Sequence, residues 1–150
     1  MRLRLRLAAV LSVTALSSAG VAALPSVTAH DVARAAACQS QHNSVHVTLS
    51  SSKYPETTDH ISDAVADGEP SLLHIDRADE DAHRDASLAD YPPRSGYDRD
   101  EYPPAMSEEG GTGADVRYID PSDNRGSGSS MGSQLADWCE TQPFRIDFTP

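Results

Sequence analysis

Residues 44–75, SVHVTLSSSKYPETTDHISDAVADGEPSLLHI, pass from one periodicity to another and back, and this passage decides the fold class. Ser44 to Leu49 alternates: Val45, Val47 and Leu49 share one face and Ser44, His46 and Thr48 the other, as in a half-buried strand. Ser50 to Thr58 reads as a connecting turn. Thr57 or Thr58 is placed to cap a short helix through Ile61 and Val65, which Gly68 ends in the left-handed conformation glycine favours. Ser71 to Ile75 reads as a second strand.

Outward from that passage the mixture continues. Arg77 to Leu88 reads as a polar helix with Ala78, Ala82, Ala86 and Leu88 turned inward. Proline and glycine then punctuate Tyr91 to Gly96. Val116 to Ile119 and Phe144 to Phe148 are the later strand candidates, with a helix over Ser127 to Trp138 between them. Its first half is so rich in glycine that tertiary packing has to hold it. The reading is a small single α+β domain, a short and mainly antiparallel sheet packed against a few helices.

The first 37 residues have a different character. Arg2, Arg4 and Arg6 precede an apolar, alanine-rich stretch from Leu7 to Leu24, which Pro25 ends. That is the order of a secretory signal peptide, with cleavage after Ala29 or after Ala37. Residues 38–150 then form the exported domain, and no membrane association is expected once the leader is removed. Export also suits the two cysteines of the chain, Cys38 and Cys139, since an oxidising exterior favours their pairing. The bridge would close a loop of about 100 residues, and the chain-entropy model assigns it roughly 4.7 kcal/mol.

Without its leader the chain keeps eight basic residues against twenty-two acidic ones, a net charge of −14. Such a surface repels nucleic acid and anionic membranes unless cations intervene. Nothing in the pattern calls for a stable protein partner, and a monomer is expected.

Chemistry concentrates between Gly96 and Arg125, GYDRDEYPPAMSEEGGTGADVRYIDPSDNR, where acids, glycines and arginines crowd without an apolar period. Loops of this composition build sites more than cores. If Asp98 to Glu101 is extended, Asp98 and Asp100 share one face and Arg99 and Glu101 the other. That arrangement suits a divalent cation, and it suits a solvated acidic turn equally well. Glu108 and Glu109 precede Gly110 and Gly111, which let another group come close. Asp123, Asn124 and Arg125 offer a carboxylate, an amide oxygen and a phosphate donor near a helix start, where Ser122 or Asp123 could instead serve as the N-cap. The histidines form no recognisable constellation; structural roles are expected for them, with His74, beside Asp76, the one most open to another.

YPETTDHI at Tyr54 to Ile61, HIDRADEDAHRDASL at His74 to Leu88, GYDRDEYPPAM at Gly96 to Met106, EEGG at Glu108 to Gly111 and VRYIDPSDNRGSGSSMGSQL at Val116 to Leu135 occur in this order. Together they resemble the NucA/NucB family of small secreted bacterial deoxyribonucleases. Many members of that family carry cysteine where Ser107 stands and tryptophan where Tyr102 stands. The resemblance implies secreted, metal-dependent, sequence-nonspecific hydrolysis of DNA, with a distant likeness to ββα-metal nucleases. It implies catalytic roles for Arg99, Asp100, Glu101 and Glu109, and phosphate binding by Arg99 and Arg125. Asp98, Glu108 and Asn124 become metal ligands for Mg²⁺ or Mn²⁺, with Ca²⁺ an alternative ion. Asp100 or Glu101 takes the place of the base that is a histidine in ββα-metal enzymes. The competing reading is a secreted cation-binding interaction module without catalytic activity.

Overall fold

Val45–Ser50 forms strand β1 in the computed structural model of the chain, which describes residues 38–150. The leader expected over residues 1–37 lies outside the described residues. Val45, Val47 and Leu49 are buried while His46 and Thr48 are exposed, as the two-residue period of a strand requires. Helix α1, Pro55–Asp67, begins on a proline, whose missing N–H costs nothing in the first turn. It therefore starts earlier than the cap expected at Thr57 or Thr58; both threonines are buried inside it. Gly68, at φ 116°, ends it as expected.

The second strand is shorter than Ser71 to Ile75. Strand β2 is Leu73–His74, because the backbone of Ile75 is shared between Thr141 and Gln142 on one side and a single bridge to Ser107 on the other. Helix α2, Glu80–Ser87, also departs from expectation: Ala82 and Ala86, like Ala78 before it, are exposed. Its inward groups are Ser87 and, half-buried, His83 and Leu88. His83 Nδ1 lies 3.1 Å from the Ala105 carbonyl, so polar contacts rather than methyl groups set this helix down.

Strand β3, Asp98–Tyr102, and strand β4, Asp115–Ile119, pair antiparallel. Helix α3, Pro121–Leu135, follows directly, which gives the strand–strand–helix order implied by the ββα likeness. Strand β5, Pro143–Thr149, runs parallel to β1 and antiparallel to β2, so the larger sheet has the order β1-β5-β2. The expected α+β domain is present, with its strands divided between two sheets.

Phe144, Leu49, Leu73 and Val47 are fully buried between the larger sheet and the helices, joined by Ile61 of α1 and Leu135 of α3. Burial of each large apolar side chain contributes about 1.5–3 kcal/mol before chain entropy is subtracted. The Cys38–Cys139 disulfide, with 5.0 Å between Cα atoms, fastens the segment before β1 to the turn after α3. Among the described residues no helix is long and apolar enough to cross a membrane.

Candidate active site

The site is built around β3, whose alternation sends neighbouring side chains to different supports. Asp98 and Asp100 share one face with the buried Tyr102, and that face meets α1 and α3. Asp98 receives two hydrogen bonds from the Arg125 guanidinium on α3, at 2.7 and 2.9 Å. Asp100 reaches α1, where its Oδ2 lies 2.7 Å from Nδ1 of His60. On the other face Glu101 meets Arg84 of α2 at 3.3 Å, and Arg99 donates to the Tyr91 carbonyl at 2.7 Å.

His60 has no exposed surface. Its second nitrogen, Nε2, has no hydrogen-bond partner and stands 3.5 Å from Oδ1 of Asp115, the first residue of β4. The imidazole is thus held between carboxylates from both strands of the β3–β4 pair. Only Oδ2 of Asp100 is bonded to a described residue, and Asp100 lines the cleft.

Two helix starts fix the opposite wall. Asp120 is the N-cap of α3 and accepts from the Ser122 and Asp123 N–H groups, a role expected of Ser122 or Asp123. Asp123 instead turns its buried carboxylate to α1, accepting from the N–H groups of Glu56 and Thr57 at 2.9 and 3.2 Å and from the Thr57 hydroxyl at 2.7 Å. Glu56 answers by accepting from the Asp120 N–H at 3.0 Å. Each helix therefore satisfies backbone donors of the other, which its own residues would supply in an ordinary capping box. Gly126 permits the close approach: a Cβ there would lie 2.7 Å from the Tyr54 ring. The glycine-rich start of α3 is held by these contacts, as its low propensity demands.

Between the walls lies a cleft of about 580 Å³ lined by Asp98, Arg99, Asp100, Glu101, Asn124 and Arg125, among others. Burial pushes the carboxyl of Asp100 up, against the hydrogen bond from His60, and burial likewise pushes Glu101 up, against Arg84. Asp98 is held below the usual carboxylate range by its hydrogen bonds from Arg125, with Asn124 adding to the effect. Arg99 has no carboxylate partner among the described residues, whereas Arg125 is committed to Asp98. Asp98, Asp100, Glu101 and Asn124 supply oxygen donors of the kind a hard divalent cation takes, but the acids of β3 do not gather into one cluster of ligand atoms.

The double glutamate expected in the same site lies elsewhere. Glu108 and Glu109 are not among the residues lining this cleft. Glu109 clasps His74 instead, with Oε1 2.7 Å from the ring Nδ1 and Oε2 accepting from the His74 N–H at 2.9 Å. The bridge of Ile75 to Ser107 brings the two segments together. Ligand atoms of His74, Glu108 and Glu109 lie within 4.8 Å of one another, a group able to take a metal ion.

The model of the family described as deoxyribonuclease NucA/NucB matches residues 66–142, about half of the chain. The chain belongs to the NucA/NucB family. It is also 51% identical over 88 residues to the DNA-entry nuclease of Bacillus subtilis (strain 168), an overlap of 59% of this chain and 60% of that protein. The chain thus spans about 60% of the length of the relative it matches.

In this member of the NucA/NucB family, His60 and Asp115 are the residues of the candidate site that the sequence alone does not single out. The usable signal was the helical stripe Thr57, His60, Ile61 and Ala64, all buried: an imidazole on an apolar face needs a partner. No comparable signal marks Asp115, which reaches His60 only through strand pairing.

Proposed function

We propose that the chain is a secreted, divalent-metal-dependent and sequence-nonspecific deoxyribonuclease, hydrolysing phosphodiester bonds in the cleft between β3 and α3. The observation that carries this reading is Asp100, a buried carboxylate fixed through one oxygen by buried His60 in a cleft that Asn124 and Arg125 of α3 also line. The family match and the name of the bacterial relative support DNA as substrate. The disulfide suits an oxidising exterior, and the leader over residues 1–37 supplies the route there.

In this mechanism Asp100 takes a proton from the attacking water through the oxygen that His60 leaves unbonded. Burial raises its affinity for protons, the direction that favours a general base. Arg99, which forms no carboxylate ion pair among the described residues, binds a phosphate oxygen and stabilises charge as it develops there. Arg125, pinned by Asp98, orients a second oxygen from the rim. Asp98 and Asn124, whose side chains meet at the cleft, would hold a divalent cation, Mg²⁺ or Mn²⁺, with Ca²⁺ as the alternative ion. Such an ion, when bound, neutralises the phosphate, eases ionisation of water and stabilises the leaving oxygen. It also answers the objection raised by the strongly negative chain.

The test is digestion of circular DNA with Mg²⁺, Mn²⁺, Ca²⁺ or excess EDTA, comparing wild type with Asp100→Ala and Glu101→Ala. The expected result is cutting that requires metal and is lost in Asp100→Ala while the fold is retained. Undiminished cutting in EDTA would overturn the metal requirement, and full activity in both variants would remove the site assignment. Thermal stabilisation by Ca²⁺ without any cutting would favour a cation-binding interaction module, for which the His74, Glu108 and Glu109 group would be the site.

A further inference from the structure

At the mouth of the cleft, just before β3, Tyr97 is 50% exposed, the most exposed large apolar side chain among the described residues. It stands on a turn: its N–H donates to the Arg94 carbonyl, and Gly96 before it takes a φ of 85°. The Arg94 guanidinium lies 5.9 Å from the centre of the Tyr97 ring and 4.1 Å from that of Tyr118. Tyr118 is fixed by its hydroxyl, which donates to the Pro92 carbonyl, and is the cross-strand partner of Arg99. Directly opposed residues in a strand pair share a face. Tyr118 therefore connects the cation at position 94 to the one at position 99.

Neither Arg94 nor Arg99 has a carboxylate partner among the described residues, although the domain carries nearly three acids for each base. Arg77, Arg84, Arg117 and Arg125 are all paired with acids. An exposed ring with Arg94 beside it, and Arg99 linked to Arg94 through Tyr118, beside a cleft that Tyr97 and Arg99 both line, form the combination that holds single-stranded nucleic acid: phosphates on the cations and a base on the aromatic face. A base can lie on that ring only when it has left the stack of a duplex.

We propose that Tyr97, steadied by Arg94, is a platform for an unstacked nucleobase flanking the scissile phosphate, and that single-stranded DNA is consequently the favoured substrate. This rests on reading the cleft as a nuclease site and adds to it the form of the substrate. Tyr97 is a positioning residue here and takes no part in bond cleavage.

Two measurements on the full chain test it. In EDTA, fluorescence anisotropy compares a labelled oligothymidylate with an abasic strand of the same length, binding to wild type, Tyr97→Ala and Tyr97→Phe. Wild type and Tyr97→Phe should bind the base-bearing strand about tenfold better than Tyr97→Ala does, and all three should bind the abasic strand equally weakly. With metal present, Tyr97→Ala should raise KM about tenfold on single-stranded DNA with kcat nearly unchanged, and should leave duplex cutting nearly unaltered. Equal binding of the two strands by wild type, no effect of Tyr97→Ala, or equal loss on single strand and duplex would each overturn the proposal. A wild type that prefers the base-bearing strand but cuts no DNA would overturn the nuclease reading and leave the platform standing.

Discussion

Nδ1 of His60 and Oδ2 of Asp100 stand 2.7 Å apart, the imidazole without exposed surface and the carboxylate at the wall of the cleft. The contact ties α1 to β3 and leaves the other carboxylate oxygen of Asp100 without a hydrogen bond among the described residues. Asp115, 3.5 Å behind the ring, backs it from the paired strand. The carboxylate–imidazole–carboxylate line fixes the orientation of Asp100 from behind by a group that solvent does not reach, as the proposed role of a general base requires.

His60→Leu should therefore lower kcat by roughly a hundredfold with little change in KM, a loss of the size expected when a general base is no longer positioned. His60→Asn, which keeps a donor near the place of Nδ1, should recover part of that rate. Steady-state kinetics alongside thermal unfolding check it. Activity that falls only in proportion to the folded fraction would reduce His60 to a core residue.

How much of this arrangement could be read beforehand depends on how local its causes are. The alternation of Val45, Val47 and Leu49 and the stop at Gly68 are local, and both appear where the pattern places them. The cluster of Asp98, Arg99, Asp100 and Glu101 with Asn124 and Arg125 was legible through its motifs, and the cleft gathers all six. The helix starts were not, because their caps are exchanged between α1 and α3. Asp123 satisfies donors 66 and 67 residues away, and no window along the chain shows that. The surroundings of the double glutamate are non-local in the same way, since the partner of Glu109, His74, arrives from another segment.

Gly126 gives a prediction opposed to simple propensity. In an exposed helix, glycine to alanine gains roughly 1 kcal/mol. Here Gly126→Ala would set a methyl 2.7 Å from the Tyr54 ring, forcing α1 away from α3. We expect net destabilisation of about 1–3 kcal/mol, the usual range for overpacking. Gly128→Ala on the same helix, where a Cβ meets nothing within 4 Å, should stabilise and serves as the control. Denaturant titration of both decides the matter, and equal effects at the two positions would contradict the packing argument.

Tyr102 predicts an alkaline limit. Burial pushes its phenol up to about 12 from an ordinary 10.0, and its hydroxyl donates to the Pro70 carbonyl at 2.8 Å. Between those values the folded chain retains a proton that the unfolded chain has lost, so stability falls as pH rises through the window. Tyr102→Phe should lose about 1 kcal/mol at neutral pH with the hydrogen bond. Its disadvantage should then shrink as pH rises from 10.0 towards about 12. Unfolding followed across this range in both proteins checks the sign; a gap that widens with pH would refute it.

The Cys38–Cys139 bridge should matter to stability far more than to chemistry. Its cysteines are 101 residues apart, so the cross-link constrains nearly the whole described chain when unfolded. The chain-entropy model gives roughly 4.7 kcal/mol for a loop near this length, and native bridges in small secreted domains typically contribute about 2–5 kcal/mol. No side chain of the candidate site belongs to either cysteine, and the bridge fastens the turn after α3 rather than the cleft wall. The double variant Cys38→Ala with Cys139→Ala should therefore unfold at markedly lower denaturant concentration yet cut DNA at nearly the wild-type rate at temperatures where it remains folded. Calorimetry and single-turnover cleavage on the same preparation separate the two quantities. A variant that keeps its stability but loses its rate would place the disulfide in the service of the cleft instead.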